Sequence, residues 1–553
     1  MNEILDENFR IYYPKIENSL KNASFIAVDA EFSGINTDNV PELTLFDTIQ
    51  ERYEKQRQNI APFSVIQIGL TAFTRAKHEN KYIAEPFRFY LLSRSLLHGT
   101  NQNCQWEKTS TNFLRNHNFD WNKLMYGGIS YLNTQEQSKM KSLLKTNDYM
   151  SNMGAFASLH EENNLLRSIK IVSEWLKDSP ESEKSTEITC EDFLQLCCLQ
   201  RQLRKSFKTI WTEHKDQKIF VIKIDPETRK ILEERDQTFF EEQLLEYTMG
   251  FTRIFKLLCA LKKPLVGHNL LLDLMFMYKQ FHEDLPRSYE NFKKEIHQLL
   301  PVVYDTKLLS YEMRKIVDPR EEGQDKKKKR EKGSSNILGE LYKYFKDGEG
   351  RLLGWNSPQI EFPDGTTTDT EAYHDAGWDS YYTGFCFVKI AHIFASFPRK
   401  SFCSMLNSRE LSHVEMMASL KDHVNRVNLI RADVSHLRLD GPDPPSTRPP
   451  WLNISAVNSR PISTDEILLA LSPYDSCDVQ SNSSKSILVA APNWRTARDI
   501  LQHFQNSKDF RAAPYNLLKH SPAVKSFLWG TLAISGSMLA LLIHRAIQKP
   551  SVS

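Results

Sequence analysis

Two carboxylates, Asp29 and Glu31, close the apolar run "FIAVDAEF" from Phe25 to Phe32. The run is short and carries β-branched and aromatic residues, which predicts a strand. Side chains two apart on a strand share a face, so the acids repel each other unless a positive charge lies between them. A divalent cation supplies that charge, and hard carboxylate oxygens suit magnesium or manganese. A solvent-facing strand end would place two acids the same way, so this pair alone leaves both readings open.

Further acids shift the balance. Asp273 lies inside "GHNLLLDLMFMY", flanked on both sides by Leu and Met, where an unpartnered charge would be strongly penalised. In "EAYHDAGWDSYYTGFCF", His374 and Asp379 stand five apart in a helix-like pattern, with Gly377 between them and Thr383 one turn after the aspartate. A lone His near an Asp is usually surface chemistry; with three earlier acids it completes a constellation.

At 553 residues, a quarter of them charged, the chain has the bulk for two to four domains. The runs "FIAVDAEF", "SVIQIGL" (Ser64 to Leu70) and "FRFYLL" (Phe87 to Leu92) are expected as neighbouring strands of one sheet. Polar, helix-prone sequence followed by "EDFLQLCCLQRQLRKSFKTIW" marks an inserted subdomain over 145–245, dividing a first domain of 1–144 and 246–405. A linker and a small domain occupy 406–520: after the proline-rich "GPDPPSTRPPW", segments alternate strand, helix, strand, helix, the order of a ferredoxin-like, RNA-recognition-type domain. Its strand "KSILVAAP" lacks the aromatic residues on which such domains stack bases. The run "KKKKREK", Lys326 to Lys332, reads as a solvated loop.

A net charge of +2 means that nucleic acid would have to be held by local patches and metal ions rather than by a global field. Of the eight cysteines only Cys197 and Cys198 are close in sequence, so neither a zinc knuckle nor a disulfide framework is indicated. The acidic, polar "MNEILDENFR" is neither a secretory signal nor a basic presequence, which implies a cytosolic product. Near the other end, "FLWGTLAISGSMLALLI" (Phe527 to Ile543) is uncharged and at the short end of bilayer-spanning length, with basic residues on both flanks. A single transmembrane helix over 524–543 is expected as a tail anchor that leaves the rest of the chain in the cytosol. Its shortness favours the mitochondrial outer membrane, with the endoplasmic reticulum as the alternative.

The ordered set Asp29, Glu31, Asp273, His374 and Asp379 resembles the DEDDh exonucleases, in which a histidine stands five residues before the last aspartate. More narrowly, "DAEFSGI", "FSVIQIGL", "FDWNKLMYGGISYLN", "KPLVGHNLLLD", "YDTKLL" and "HDAGWDSYYTGFCF" resemble the poly(A)-specific ribonuclease (CAF1) group over roughly residues 10 to 400. With the tail anchor, the chain is similar to the membrane-tethered branch that trims 3′ ends of PIWI-interacting RNA precursors. The insert departs from the family motif at Phe207, which stands where a histidine is expected.

The resemblance implies an α/β fold: a ribonuclease H-like mixed sheet flanked by helices, with the small α/β insert, the ferredoxin-like domain and the single transmembrane helix added. It implies two Mg2+ ions, or Mn2+, held by Asp29, Glu31, Asp273 and Asp379, with His374 as general base. It also implies that Phe32 and Ile35 pack against the terminal base and sugar, although both could equally be core residues. The implied partners are single-stranded RNA 3′ ends, a PIWI-clade argonaute and a Tudor-domain adapter. Two rival functions are a general poly(A) deadenylase and a catalytically inactive, membrane-tethered RNA-binding scaffold; a scaffold has no need of a repulsive carboxylate cluster.

Overall fold

A computed structural model describes residues 1–93, 104–146, 159–180, 183–190, 193–215, 218–236, 239–317, 336–364, 373–396, 409–458, 460–474 and 476–547. The lysine run at 326–332 lies outside the described residues. The chain divides into two compact units: Met1–Asn39, Gln56–Asn428 and Arg438–Asp440 form one, and Val40–Lys55, Leu429–Leu437 and Gly441–Ser553 the other.

The first unit is built on a mixed sheet. Its strands are β1 (Asn2–Ile4), β2 (Phe25–Phe32), β3 (Val65–Arg75) and β4 (Lys81–Tyr90). The segment from 145 to 245 contributes a separate three-stranded antiparallel sheet, β5 (Ser185–Thr189), β6 (Ile210–Lys215) and β7 (Lys218–Lys223), with β7 central. Phe207 packs against the core of that sheet. The main sheet resumes with β8 (Leu265–Gly267), β9 (Val303–Asp305), β10 (Gln359–Glu361) and β11 (Arg426–Asn428). Its order is β1-β4-β3-β2-β8-β9-β11, with β10 also on β4. The β2–β3 and β3–β4 pairs are antiparallel, whereas β2–β8 and β8–β9 are parallel.

Burial follows from composition. Phe25 to Val28 of β2 and nine consecutive residues of β3 are buried, as expected for strands covered on both faces. The helix Ala376–Ser396, apolar on nearly all sides, packs Tyr382, Phe387 and Ile390 into the core against Phe25 and Phe73. Leu411, Met416 and Leu420 lie in the same core. The boundary expected at 406 therefore falls inside the first unit, because these apolar residues are buried only there.

The second unit centres on four antiparallel strands. The short strand β12 (His436–Arg438) crosses the boundary. Then come β13 (Leu452–Ala456), β14 (Asp478–Ser483), β15 (Ser486–Ala490) and β16 (Phe510–Pro514), in the order β14-β15-β13-β16. The helices Thr464–Ala470 and Trp494–Gln505 complete a βαββαβ, ferredoxin-like arrangement. The polar β14, "DVQSNS", has no apolar alternation and was not expected as a strand. Residues 40–55 also join this unit, since Arg52 donates to the carbonyl of Ile430 and Leu45 N–H to the Asp478 carboxylate. The helix Pro522–Ile547 follows; over Pro522–His544 it is long and apolar enough to cross a membrane, and its most apolar stretch is not buried against the rest of the chain.

Candidate active site

Strand β2 carries Asp29 and Glu31 on one face, opposite Gly69 and Gln67 of β3. Asp379 enters from the first turn of the helix Ala376–Ser396. One carboxylate oxygen from each of Asp29, Glu31 and Asp379 lies within 4.8 Å of the others. Asp273, in the first turn of the helix Leu271–Phe281, is 8% exposed and close enough for its charge to act on Asp29.

Such crowding has an electrostatic cost. Loss of water pushes Asp29 and Glu31 well above the ordinary carboxylate range, and Asp379 and Asp273 push both further. Burial raises Asp273 to about 8 and Asp379 to about 7. Among the described residues no lysine or arginine pairs with any of the four. An oxygen-only donor set, buried, anionic and lacking a cationic side chain, fits hard divalent cations.

His374 lies just before the helix rather than within it, at φ +60°. This left-handed backbone is costly for a residue with a Cβ and persists only when its surroundings fix it. Here its N–H donates to Asp379 Oδ2 at 3.1 Å, and the N–H of Ala376 donates to the buried Gln67 Oε1 at 2.9 Å. Between them Asp375 accepts from Trp378 N–H and from the Arg88 guanidinium, whose other nitrogen donates to Glu3. Asp375 is thus a further acid beside the cluster, turned toward Arg88. The His374 ring meets His117 at 4.0 Å and Phe113 at 4.8 Å between centroids. Burial, then His117, lowers its pKa.

The other expected contacts divide. Ile35 is exposed, and its N–H is held by Glu107 Oε2 at 2.7 Å. Phe32 is half-buried and stacks on Phe276 at 4.2 Å, which gives its ring a structural role in the core. Gln67, Arg88, Asp375, His117 and Glu107 were not singled out from the sequence, because each is an ordinary polar residue until the fold places it. Asp305 belongs with them: its carboxylate accepts from Asn269, Leu270, Lys307 and Asn428 N–H groups, and so secures the turn that starts the Asp273 helix.

Residues 4–387 match the family model described as CAF1 family ribonuclease. The chain is a CAF1 family ribonuclease. It is 30% identical to the pre-piRNA 3′-exonuclease trimmer of Bombyx mori over 98% of each chain. To the poly(A)-specific ribonuclease PNLDC1 of Mus musculus it is 28% identical, again over 98% of each. The poly(A)-specific ribonuclease PARN of Xenopus laevis is 29% identical over 80% of this chain and 69% of its own length. Among solved structures, S. pombe Pop2p in its Mg2+ and Mn2+ bound form aligns with a TM-score of 0.32 and 13% identity, covering 70% of this chain and 91% of that one. As a member of this family the chain is a 3′–5′ exoribonuclease with the ribonuclease H-like fold.

Proposed function

We propose that this exoribonuclease trims the 3′ ends of PIWI-interacting RNA precursors at a membrane surface. The observation that carries this reading is the extent of the likeness to the silkworm trimmer: it runs through 98% of both chains, well past the family match that ends at residue 387. The apolar C-terminal helix supports the membrane placement. Anchoring in the mitochondrial outer membrane, in the germ line, with a PIWI-clade argonaute delivering the RNA through a Tudor-domain adapter, belongs to the same proposal.

In this reading Asp29, Glu31, Asp273 and Asp379 hold two divalent ions, magnesium or manganese. Bound there, the ions stabilise charge on the attacking and leaving oxygens of phosphodiester hydrolysis. His374 accepts the proton of the attacking water, and its lowered pKa keeps it in the neutral, accepting form near pH 7. Asp375 and Gln67 fix the turn that carries it. Ile35 and Phe113, both exposed, offer apolar surface to a terminal nucleotide.

The test is release of mononucleotides from a 3′-extended RNA by detergent-solubilised full-length protein, with magnesium or EDTA, beside Asp29→Ala. Shortening should require the metal and vanish in the variant. The names of the PNLDC1 and PARN relatives favour a second reading, poly(A) removal. A strong preference for oligoadenylate tails over mixed 3′ ends would replace trimming with deadenylation.

A further inference from the structure

The chain between the ferredoxin-like sheet and the apolar helix contains no loose tether. β16 ends at Pro514, a short helix covers Leu517–His520, and the long helix begins at Pro522. Each junction is tied down. Tyr515 N–H donates to the carbonyl of Trp451 at 2.7 Å, and Asn516 Oδ1 accepts from Leu518 and Lys519 N–H. The carbonyl of His520 accepts from Asn482 Nδ2 at 3.0 Å, and Lys525 N–H donates to the carbonyl of Ser521.

These bonds put the turn over one particular face of the sheet. Leu452 and Ile454 of β13 and Ile487 and Val489 of β15 point into the core beneath the helices. By alternation Asn453 and Leu488 point to the opposite face, where each is only 7% exposed. Asn482, which holds His520, also donates to Ser486 and lies beside Asn453 on that side. On that side the short helix leaves Leu517 60% and Leu518 63% exposed, with Lys519 beside them.

A bilayer is the occupant these leucines fit. From Pro522 to Phe527, where the apolar run starts, is about 7 Å of helix. A headgroup layer is roughly 5–8 Å thick on each side of the hydrocarbon. With Phe527 at the hydrocarbon boundary, Pro522 lies at the outer edge of that layer, and the short helix, which packs against the long one, brings Leu517, Leu518 and Lys519 to the membrane surface beside Lys525. The span itself adds to this. The run Phe527 to Ile543 extends about 25 Å as a helix, short of a hydrocarbon core of roughly 30 Å, and a short span draws flanking groups into the interface.

We infer that Leu517 and Leu518 insert into the lipid headgroup layer and fix the ferredoxin-like domain against the bilayer with the turn-covered face of its sheet directed to the lipid. This rests on the membrane placement under Proposed function. The face from which RNA-recognition domains contact single strands then lies on the lipid side, with Asn453 and Leu488 buried, consistent with its lack of stacking aromatics along β15.

A photocrosslinking amino acid placed singly at Leu517, Leu518, Ile534 or Leu469 of the full-length protein in phosphatidylcholine–phosphatidylserine nanodiscs tests it. Leu469 is 77% exposed on the helix Thr464–Ala470, on the opposite side of the sheet from the turn. Mass spectrometry should find lipid adducts at Leu517, Leu518 and Ile534, and their loss at Leu469. Adducts at Ile534 without any at Leu517 or Leu518 overturn the inference while leaving the anchor intact. Adducts at Leu469 as well would refute the stated orientation. None at any position, Ile534 included, would remove the membrane reading and this inference with it.

Discussion

His374 shows how much of the site rests on side chains that never meet a metal. Its left-handed backbone is fixed by Asp379, and by the turn that Gln67 and the Arg88–Asp375 pair hold. Arg88→Met keeps the aliphatic stem and removes the ion pair. We expect kcat for RNA shortening to fall about 10- to 100-fold through misplacement of the histidine, with little change in metal affinity. Steady-state kinetics beside a manganese titration would show whether the two separate. The ring itself sets a pH dependence. With His374 as the proposed general base, its depressed pKa should put the acid limb of the kcat profile below the ordinary histidine value of about 6.5. Because His117 opposes the charged form, His117→Gln should move that limb to higher pH, and an unmoved limb would remove His117 from the account.

At the scale of elements, the site exists because the N-terminus of one helix comes unusually close to one strand. A Cβ at Gly69, opposite Asp29 on β3, would lie 1.8 Å from the carbonyl oxygen of Ala376. Only glycine allows the turn bearing His374 and the helix bearing Asp379 to approach β3 so nearly. Gly69→Ala should therefore destabilise the first unit by about 1–3 kcal/mol and cut activity further than stability alone explains. Urea unfolding paired with turnover of the remaining folded fraction measures both. The Thr71–Ser380 hydroxyl contact at 2.7 Å and the Phe25–Phe387 ring pair at 4.9 Å hold the rest of the helix to the same strands.

For the whole molecule, the carboxylate cluster links stability to pH and metal. Asp273 near 8 and Asp379 near 7 are raised above their unfolded values. In metal-free protein their stabilising contribution is present at low pH and is lost as pH rises through 7 to 8. Divalent ions bind the ionised form, so magnesium or manganese should raise the thermal midpoint more at pH 8 than at pH 6. Differential scanning fluorimetry with EDTA controls would show it, and equal shifts at both pH values would count against the carboxylates as ligands. Much of this molecule was legible from local chemistry. Acids two apart on a strand, an acid inside "LLLDLMFMY" and an unbroken apolar run near the C-terminus each conflict with their immediate surroundings, and a sequence displays such conflicts directly. It could not display the joining of residues 40–55 to the second unit, the polar strand β14, or the tie between Arg88 and Asp375. Composition and periodicity determined the types of element, the apolar helix and the acids demanding a cation. Only the tertiary structure decided which polar residues hold His374 in place and which face of the sheet the turn before the apolar helix covers, because contacts between residues far apart in the chain leave no trace in the local pattern of either partner.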